Sequence, residues 1–116
     1  MQRDRLLIAE MIDAATRVVE LVGERSAEDL EADDLRREAV LWNLTVLGEA
    51  ASQVSAQLKK SQTEVTWSDP VRLRNRLVHG YWSIEMEVVA ATASDDLPPL
   101  ALVEQLRAIQ ETQPEA

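Results

Sequence analysis

Apolar residues recur at three- and four-residue steps along several stretches of the chain, which is the spacing of one face of an α-helix. The first stretch runs from Arg3 to Val22 and carries two adjacent stripes that together make a wide apolar face. We predict a long helix there, whose face contacts two neighbours either inside a bundle or across a dimer. The stripes are Leu7, Met11, Ala14, Val18 and Leu21, and Ile8, Ile12, Ala15, Val19 and Val22.

The second periodic stretch predicts a long helix that opens at Asp33 or Asp34 and runs to about Lys59. Between the two helices, Gly23 is the predicted stop of the first, because glycine accepts the left-handed conformation there. Ser26 is predicted to cap a short turn through Leu30. The apolar positions of the second helix keep a 4-3-4-3-4 spacing at Val40, Leu44, Leu47, Ala51, Val54 and Leu58.

Polar or small residues lie beside the stripe of the second predicted helix. The stripe continues past Gly48, although glycine costs about 1 kcal/mol against alanine in a helix interior. We infer that Gly48 lets another backbone come close. Asn43 and Glu49 lie near or between the apolar positions. They either support a functional site by hydrogen bonding or lie at the edge of the buried stripe, where water satisfies them.

The second half of the chain predicts three further helices. A polar connection over Ser61–Trp67 leads to a helix from about Asp69 to Val78, with Ser68 or Asp69 as its cap and Pro70 in its first turn. Another helix is expected from Ser83 to about Ser94. Prolines at 98 and 99 suit the opening of a last helix, whose apolar stripe is Leu102, Leu106 and Ile109.

These patterns predict an all-α fold, an up-down bundle of four main helices plus short helices in a single domain over residues 1–116. Trp42 and Trp67 are expected in the core or at its edge. The chain has no cysteine and one histidine, which excludes disulfides, cysteine-based zinc sites and a His-rich metal site within one subunit. We predict no metal and no cofactor. The amphipathic N-terminus and the lack of a roughly 20-residue apolar run predict a cytoplasmic protein.

Charge is distributed unevenly along the chain. The whole chain has 12 basic and 21 acidic residues, a formal charge of −9. The window from Pro70 to Trp82 carries three arginines and no acidic residue, so it is +3 and the remainder, 9 basic against 21 acidic, is −12. A cationic segment with the only histidine predicts a site for an anion, most simply phosphate. The alternative is that the arginines coat a helix and His79 caps its end.

Arg74 and His79 are the candidate catalytic pair, because a guanidinium stabilises phosphoryl charge and an imidazole exchanges protons near neutral pH. On a straight helix the two residues are about 140° apart around the axis. They therefore meet only if Gly80 breaks the helix, if the long Arg74 side chain reaches around, or if two copies of the chain share the site.

Arg74, His79 and Tyr81 together resemble the Arg-X4-His-X-Tyr motif of HEPN-domain toxins of the HepT-like group. Asn75, the segment Leu77–Trp82 and the upstream residues 38–50 are also similar to that group. The resemblance implies a HEPN-like helical bundle that forms a homodimer with both motifs lining one cleft. It also implies a metal-independent ribonuclease, paired in bacteria with a nucleotidyltransferase antitoxin that adds AMP to the motif tyrosine, here Tyr81.

On this interpretation the basic segment would bind an RNA substrate and cut it. Asn75 would support the site by positioning the phosphate or His79, and Arg72 and Arg76 would bind the substrate. Trp82 either stacks on an unpaired base or covers the end of the bundle. The rival interpretation is a non-catalytic helical module that binds a nucleotide or a partner protein.

Overall fold

Helices and turns make up the part of the chain that the computed structural model describes, residues 2–68, 70–72, 74–75 and 99–112. Residues 70–72 and 74–75 are helical and are called the Arg74 segment below. No strand occurs in these ranges, so the all-α prediction is confirmed for them, while the helix predicted from Ser83 to Ser94 lies outside them. The helices are α1 Gln2–Val22, α2 Ala27–Ala32, α3 Asp34–Gln53, α4 Ala56–Ser61 and α5 Pro99–Thr112.

Helix α1 is the centre of the described bundle, because it packs against both α3 and α5. This explains its double stripe: each of its two neighbours covers part of the wide apolar face. The two predicted neighbours of this face therefore lie inside the bundle. A side chain such as Ile8 or Met11, fully enclosed here, contributes about 1.5–3 kcal/mol by leaving water. The buried residues of α1 are Leu7, Ile8, Met11, Ile12, Ala14, Ala15 and Val18.

The connection between α1 and α3 contains the predicted helix stop and helix caps. Gly23 has φ 50° and ends α1, as predicted, in the left-handed region that favours glycine. Ser26 caps α2 and forms a capping box with Asp29, although α2 continues to Ala32 beyond the predicted end at Leu30. Asp33 caps α3 by accepting the Arg36 backbone N–H at 3.1 Å.

The Asp33 cap depends on its charge. The backbone N–H of Arg36, followed by its guanidinium, lowers the pKa of the Asp33 carboxyl below its ordinary value. A lowered folded-state pKa means that the stabilisation is present above the unfolded-state pKa and is lost as the pH falls through the folded-state pKa. Arg36 Nη1 also donates to the Leu21 carbonyl at 3.1 Å, which ties the start of α3 to the end of α1.

The second long helix does not reach Lys59, and this prediction was wrong. Helix α3 ends at Gln53, Val54 is extended, and Ser55 caps a separate helix by accepting the Leu58 N–H. The buried Asp4 carboxylate of α1 accepts the Ser55 backbone N–H at 2.9 Å and its hydroxyl at 2.6 Å. Because Val54 and Leu58 are still buried on either side of the break, the apolar spacing gave no sign of it.

Trp42 and Trp67, both predicted in the core or at its edge, differ in their burial. Trp67 is buried and its Nε1 donates to the Gln62 carbonyl at 3.0 Å, so the core-edge prediction is confirmed for it. Trp42 is 66% exposed, and its prediction as a core residue was wrong. Trp42 lies on the side of α3 away from the buried stripe that faces α1. The hydrophobicity of a single residue does not indicate on which side of a helix it lies.

The last helix opens at Pro99 and buries Leu102, Leu106 and Ile109, as predicted. None of the described helices is long and apolar enough to span a bilayer.

Replacing Asp4 with alanine should destabilise the fold, since the Ser55 N–H and hydroxyl would lose their shared acceptor in a buried place. Leaving such a group unsatisfied costs about 1–3 kcal/mol. The free energy of unfolding, measured by urea denaturation, should fall by that amount. Asp13→Ala, at an exposed position of the same helix, is the matched control and should change little. Equal stability of the two variants would contradict the role given to Asp4.

Candidate functional site

The Arg74 segment lies directly against α3 at Gly48. A Cβ built on Gly48 would overlap the Pro70 carbonyl oxygen and the Arg74 Cβ, and would meet the Arg74 Cγ at 3.0 Å. Glycine at position 48 is therefore what allows this backbone approach, and the inference made for Gly48 is confirmed. Val71 packs against the core beside this contact. The contact fixes where Arg74 leaves the backbone.

The tip of Arg74 meets the next residue of α3. Arg74 Nη1 lies 3.1 Å from Glu49 Oε2, with the arginine side chain 24% and the glutamate side chain 53% exposed. Pairs as exposed as this one contribute roughly 0–1 kcal/mol to stability. In the described part of the chain, no acceptor lies within hydrogen-bond distance of the enclosed Arg74 Nε. Among the described residues, the contact of the guanidinium is therefore the one between Nη1 and Glu49.

A string of polar side chains, joined by hydrogen bonds, leads from this ion pair to α1. Glu49 Oε1 accepts from Gln53 Nε2 at 3.0 Å, and Gln53 Oε1 accepts from Arg3 Nη2 at 2.8 Å. The string joins α1, α3 and the Arg74 segment. Sequence reasoning missed Gln53 and Arg3. The four-residue spacing of Glu49 and Gln53 was a usable signal, whereas the contact with Arg3 depends on how α1 packs.

Of the two possible supporting residues on α3, Glu49 contacts the described part of the motif, at Arg74. Asn43 is buried, and its Nδ2 donates to the Ala39 carbonyl one turn back at 2.8 Å. Buried Asn43 therefore satisfies a donor within its own helix. For Glu49 the contact with Arg74 favours the site-supporting interpretation.

The other predicted site residues divide between the described ranges and the rest of the chain. Arg72 and Asn75 are both exposed on the Arg74 segment. Arg76, His79, Tyr81 and Trp82 lie outside the described residues, so the meeting of Arg74 with His79 stays a prediction. Within the described ranges, no cluster of three or more acidic or histidine side chains is arranged to hold a metal ion.

These observations define the class of protein: a domain that is all-α in its described part and presents a motif arginine from a helical segment packed on a glycine of a long helix. The family model described as "Ribonuclease HepT-like" matches residues 11–107. That match spans most of the chain and includes the Gly48 contact and the whole Arg-X4-His-X-Tyr motif. The chain therefore belongs to the ribonuclease HepT-like family.

Curated relatives agree with this assignment. The chain is 27% identical over 93 residues to a protein of Thermococcus cleftensis named "Probable ribonuclease HepT", which covers 80% of this chain and 84% of the relative. It is 23% identical over 96 residues to a protein of Methanocaldococcus jannaschii that is named as an RNase, covering 83% of this chain and 88% of that one. No solved structure matches the chain significantly.

Gly48→Ala should destabilise the protein, against the usual trend for helices. In an open helix the change would be favourable by about 1 kcal/mol. Here the added methyl group meets the Pro70 carbonyl and the Arg74 stem, and such overpacking costs about 1–3 kcal/mol. Thermal unfolding monitored by circular dichroism checks the sign. Ser52→Ala, on the same helix, reports the ordinary effect of the propensity change. A more stable Gly48→Ala variant would mean that the Arg74 segment does not lie this close to α3.

Proposed function

We propose that this protein is a HepT-like toxin that acts as a metal-independent endoribonuclease. The observation that carries the proposal is Arg74: its stem is packed on Gly48, its Nη1 contacts Glu49, and its side chain is 24% exposed beside them. Membership of the ribonuclease HepT-like family supports the same activity. The acidic balance of the rest of the chain argues that RNA binding is local to this basic segment.

The proposed reaction is cleavage of an RNA phosphodiester by its own ribose. The 2′-oxygen attacks phosphorus as its proton passes to a base, and the 5′-oxygen leaves as it receives a proton from an acid. His79 is the proposed acid or base, and Arg74 stabilises the charge that develops on the phosphoryl oxygens. Asn75 is the proposed support of the phosphate or of His79, while Arg72, Arg76 and Trp82 bind the RNA strand.

A homodimer is part of this proposal. One histidine per chain cannot serve both proton transfers at once, whereas two copies bring two imidazoles. The exposed face of α3 supports an association between chains, since it carries Leu35 at 82% exposure and Trp42 at 66%. Leu35, Trp42 and Glu49 are spaced by seven residues and so lie along one line of the helix. This line leads from the exposed apolar side chains to the partner of Arg74.

Purified protein should cleave single-stranded RNA in the presence of EDTA, and Arg74→Ala and His79→Ala should each remove that cleavage. Loss of a group that stabilises charge costs about 100- to 1,000-fold in rate, and loss of the proton-transfer group about 100- to 10,000-fold. Gel assays of labelled RNA measure this. Arg107→Ala, an exposed arginine on α5, is the matched control and should cleave normally.

Mixing the two inactive variants tests the shared site. If Arg74 and His79 come from different subunits, a mixed dimer keeps one intact pair and regains part of the activity. No recovery, with exchange of subunits demonstrated, would mean either that both groups come from one chain or that cleavage needs the imidazoles of both subunits. Folded protein that binds nucleotides but cuts no RNA would overturn the nuclease in favour of a non-catalytic binding module.

The proposed neutralising partner is a nucleotidyltransferase antitoxin that adds AMP to Tyr81. The hydroxyl oxygen of Tyr81 attacks the α-phosphorus of ATP, pyrophosphate leaves and the phenolic proton is lost. The added phosphate brings negative charge beside the basic segment, where it would repel an RNA backbone.

Tyr81→Phe should therefore accept no label from α-labelled ATP in the presence of the transferase, because the acceptor oxygen is absent. The variant should also escape neutralisation, so that cells that produce both proteins stop growing. Ser83→Ala, which removes a neighbouring hydroxyl, is the control and should be labelled as the unchanged protein is. Undiminished labelling of Tyr81→Phe would dismiss Tyr81 as the acceptor.

A further inference from the structure

We propose that Glu49 is a positioning residue that orients the Arg74 guanidinium for the phosphate of RNA. The inference rests on the proposed ribonuclease function and concerns a residue outside the Arg-X4-His-X-Tyr motif. It is carried by the contact between Glu49 Oε2 and Arg74 Nη1 at 3.1 Å.

The Arg74 side chain is restrained at both ends. Its Cβ and Cγ lie against Gly48, and its Nη1 lies against the carboxylate of the following residue. A long flexible side chain loses much rotational freedom when it is ordered. Because α3 has already ordered this one, the guanidinium loses less freedom when phosphate binds, and it is in place when charge develops.

The carboxylate of Glu49 is itself oriented from the other side. Its Oε1 accepts from Gln53, and Gln53 accepts from Arg3. The two carboxylate oxygens therefore have different partners: Oε1 accepts from Gln53 and Oε2 contacts Arg74. The orientation of Arg74 is therefore set by a series of contacts through Glu49 and Gln53 of α3 to Arg3 of α1, and not by the Glu49 side chain alone.

The contact with Glu49 engages one end of the Arg74 guanidinium. Glu49 meets Nη1, and the arginine side chain is 24% exposed. Nε is enclosed and has no acceptor among the described residues. The terminal Nη groups are therefore the donors that we assign to the phosphate oxygens.

A purely structural role for Glu49 does not fit its surroundings. Its side chain is 53% exposed, and ion pairs in such places contribute little to folding. A competing role is that Glu49 holds Arg74 away from RNA. In that case its removal would raise turnover and tighten binding, whereas loss of a positioning residue lowers turnover.

The test compares kcat and KM of Glu49→Gln, Glu49→Asp and the unchanged protein on a single-stranded RNA oligonucleotide in EDTA. For Glu49→Gln we expect kcat to fall about 10- to 100-fold. We expect KM to stay the same or fall slightly, since a negative charge near the RNA is lost. Glu49→Asp keeps the carboxylate and should regain part of kcat. Glu38→Gln, an exposed glutamate on the same helix, is the matched control and should leave both values unchanged.

A double-mutant cycle with Arg74→Lys shows whether Glu49 acts through Arg74. If it does, the fold-losses of Glu49→Gln and Arg74→Lys are not multiplicative when combined. Gln53→Ala provides a second variant that leaves the ion pair's charges intact, and it should lower kcat in the same direction by less. All variants should unfold at nearly the same temperature as the unchanged protein.

The proposal is overturned if Glu49→Gln keeps full turnover or gains turnover, or if its loss simply multiplies with that of Arg74→Lys. Those results leave the nuclease assignment intact as long as Arg74→Ala and His79→Ala are inactive. Full cleavage by Arg74→Ala, in contrast, removes the proposed function itself. The two failures are therefore separable in one set of assays.

Discussion

The burial of one helix on two sides is the constraint from which the described structure follows. Helix α1 packs against α3 and α5, and its apolar face is wide enough to need both. Contacts at its two ends fix the direction of α3: Arg3 meets Gln53 near one end, and the Leu21 carbonyl meets Arg36 near the other. The two helices are therefore antiparallel, which brings the C-terminal turns of α3 beside the start of α1.

This arrangement concentrates polar chemistry at one end of the bundle. Asp4 accepts both donors of Ser55 where α3 gives way to α4. One residue away, Arg3 begins the string that runs through Gln53 and Glu49 to Arg74. The same end of α1 thus sets both the break in the helix and the surroundings of the motif arginine. The fold and the candidate site meet at this end of α1 because the Arg74 segment rests on Gly48, five residues before the end of α3 at Gln53.

Two neighbouring residues of α3 contribute to the site in different ways. Gly48 acts by having no side chain, since a Cβ there would overlap Pro70 and Arg74. Glu49 acts through its carboxylate, which lies on the partly exposed guanidinium. The first interaction sets the position of the arginine backbone and the second the direction of its side chain. In a domain with net charge −9, these two contacts fix the place of a cationic side chain among a majority of acidic residues.

The sequence by itself determined the helical class, the helix starts at Asp34 and Pro99, the stop at Gly23, the buried stripes and the close approach at Gly48. These features depend on local backbone preferences and on a 3.6-residue period, which adjacent residues encode. Resemblance of the motif to a known family also led to the correct assignment. Only the tertiary structure decided the break at Ser55, because its cause is the carboxylate of Asp4, 51 residues away. It likewise decided that Trp42 is exposed and that Arg74 meets Glu49, since both depend on which side of α3 faces α1 and which faces the Arg74 segment.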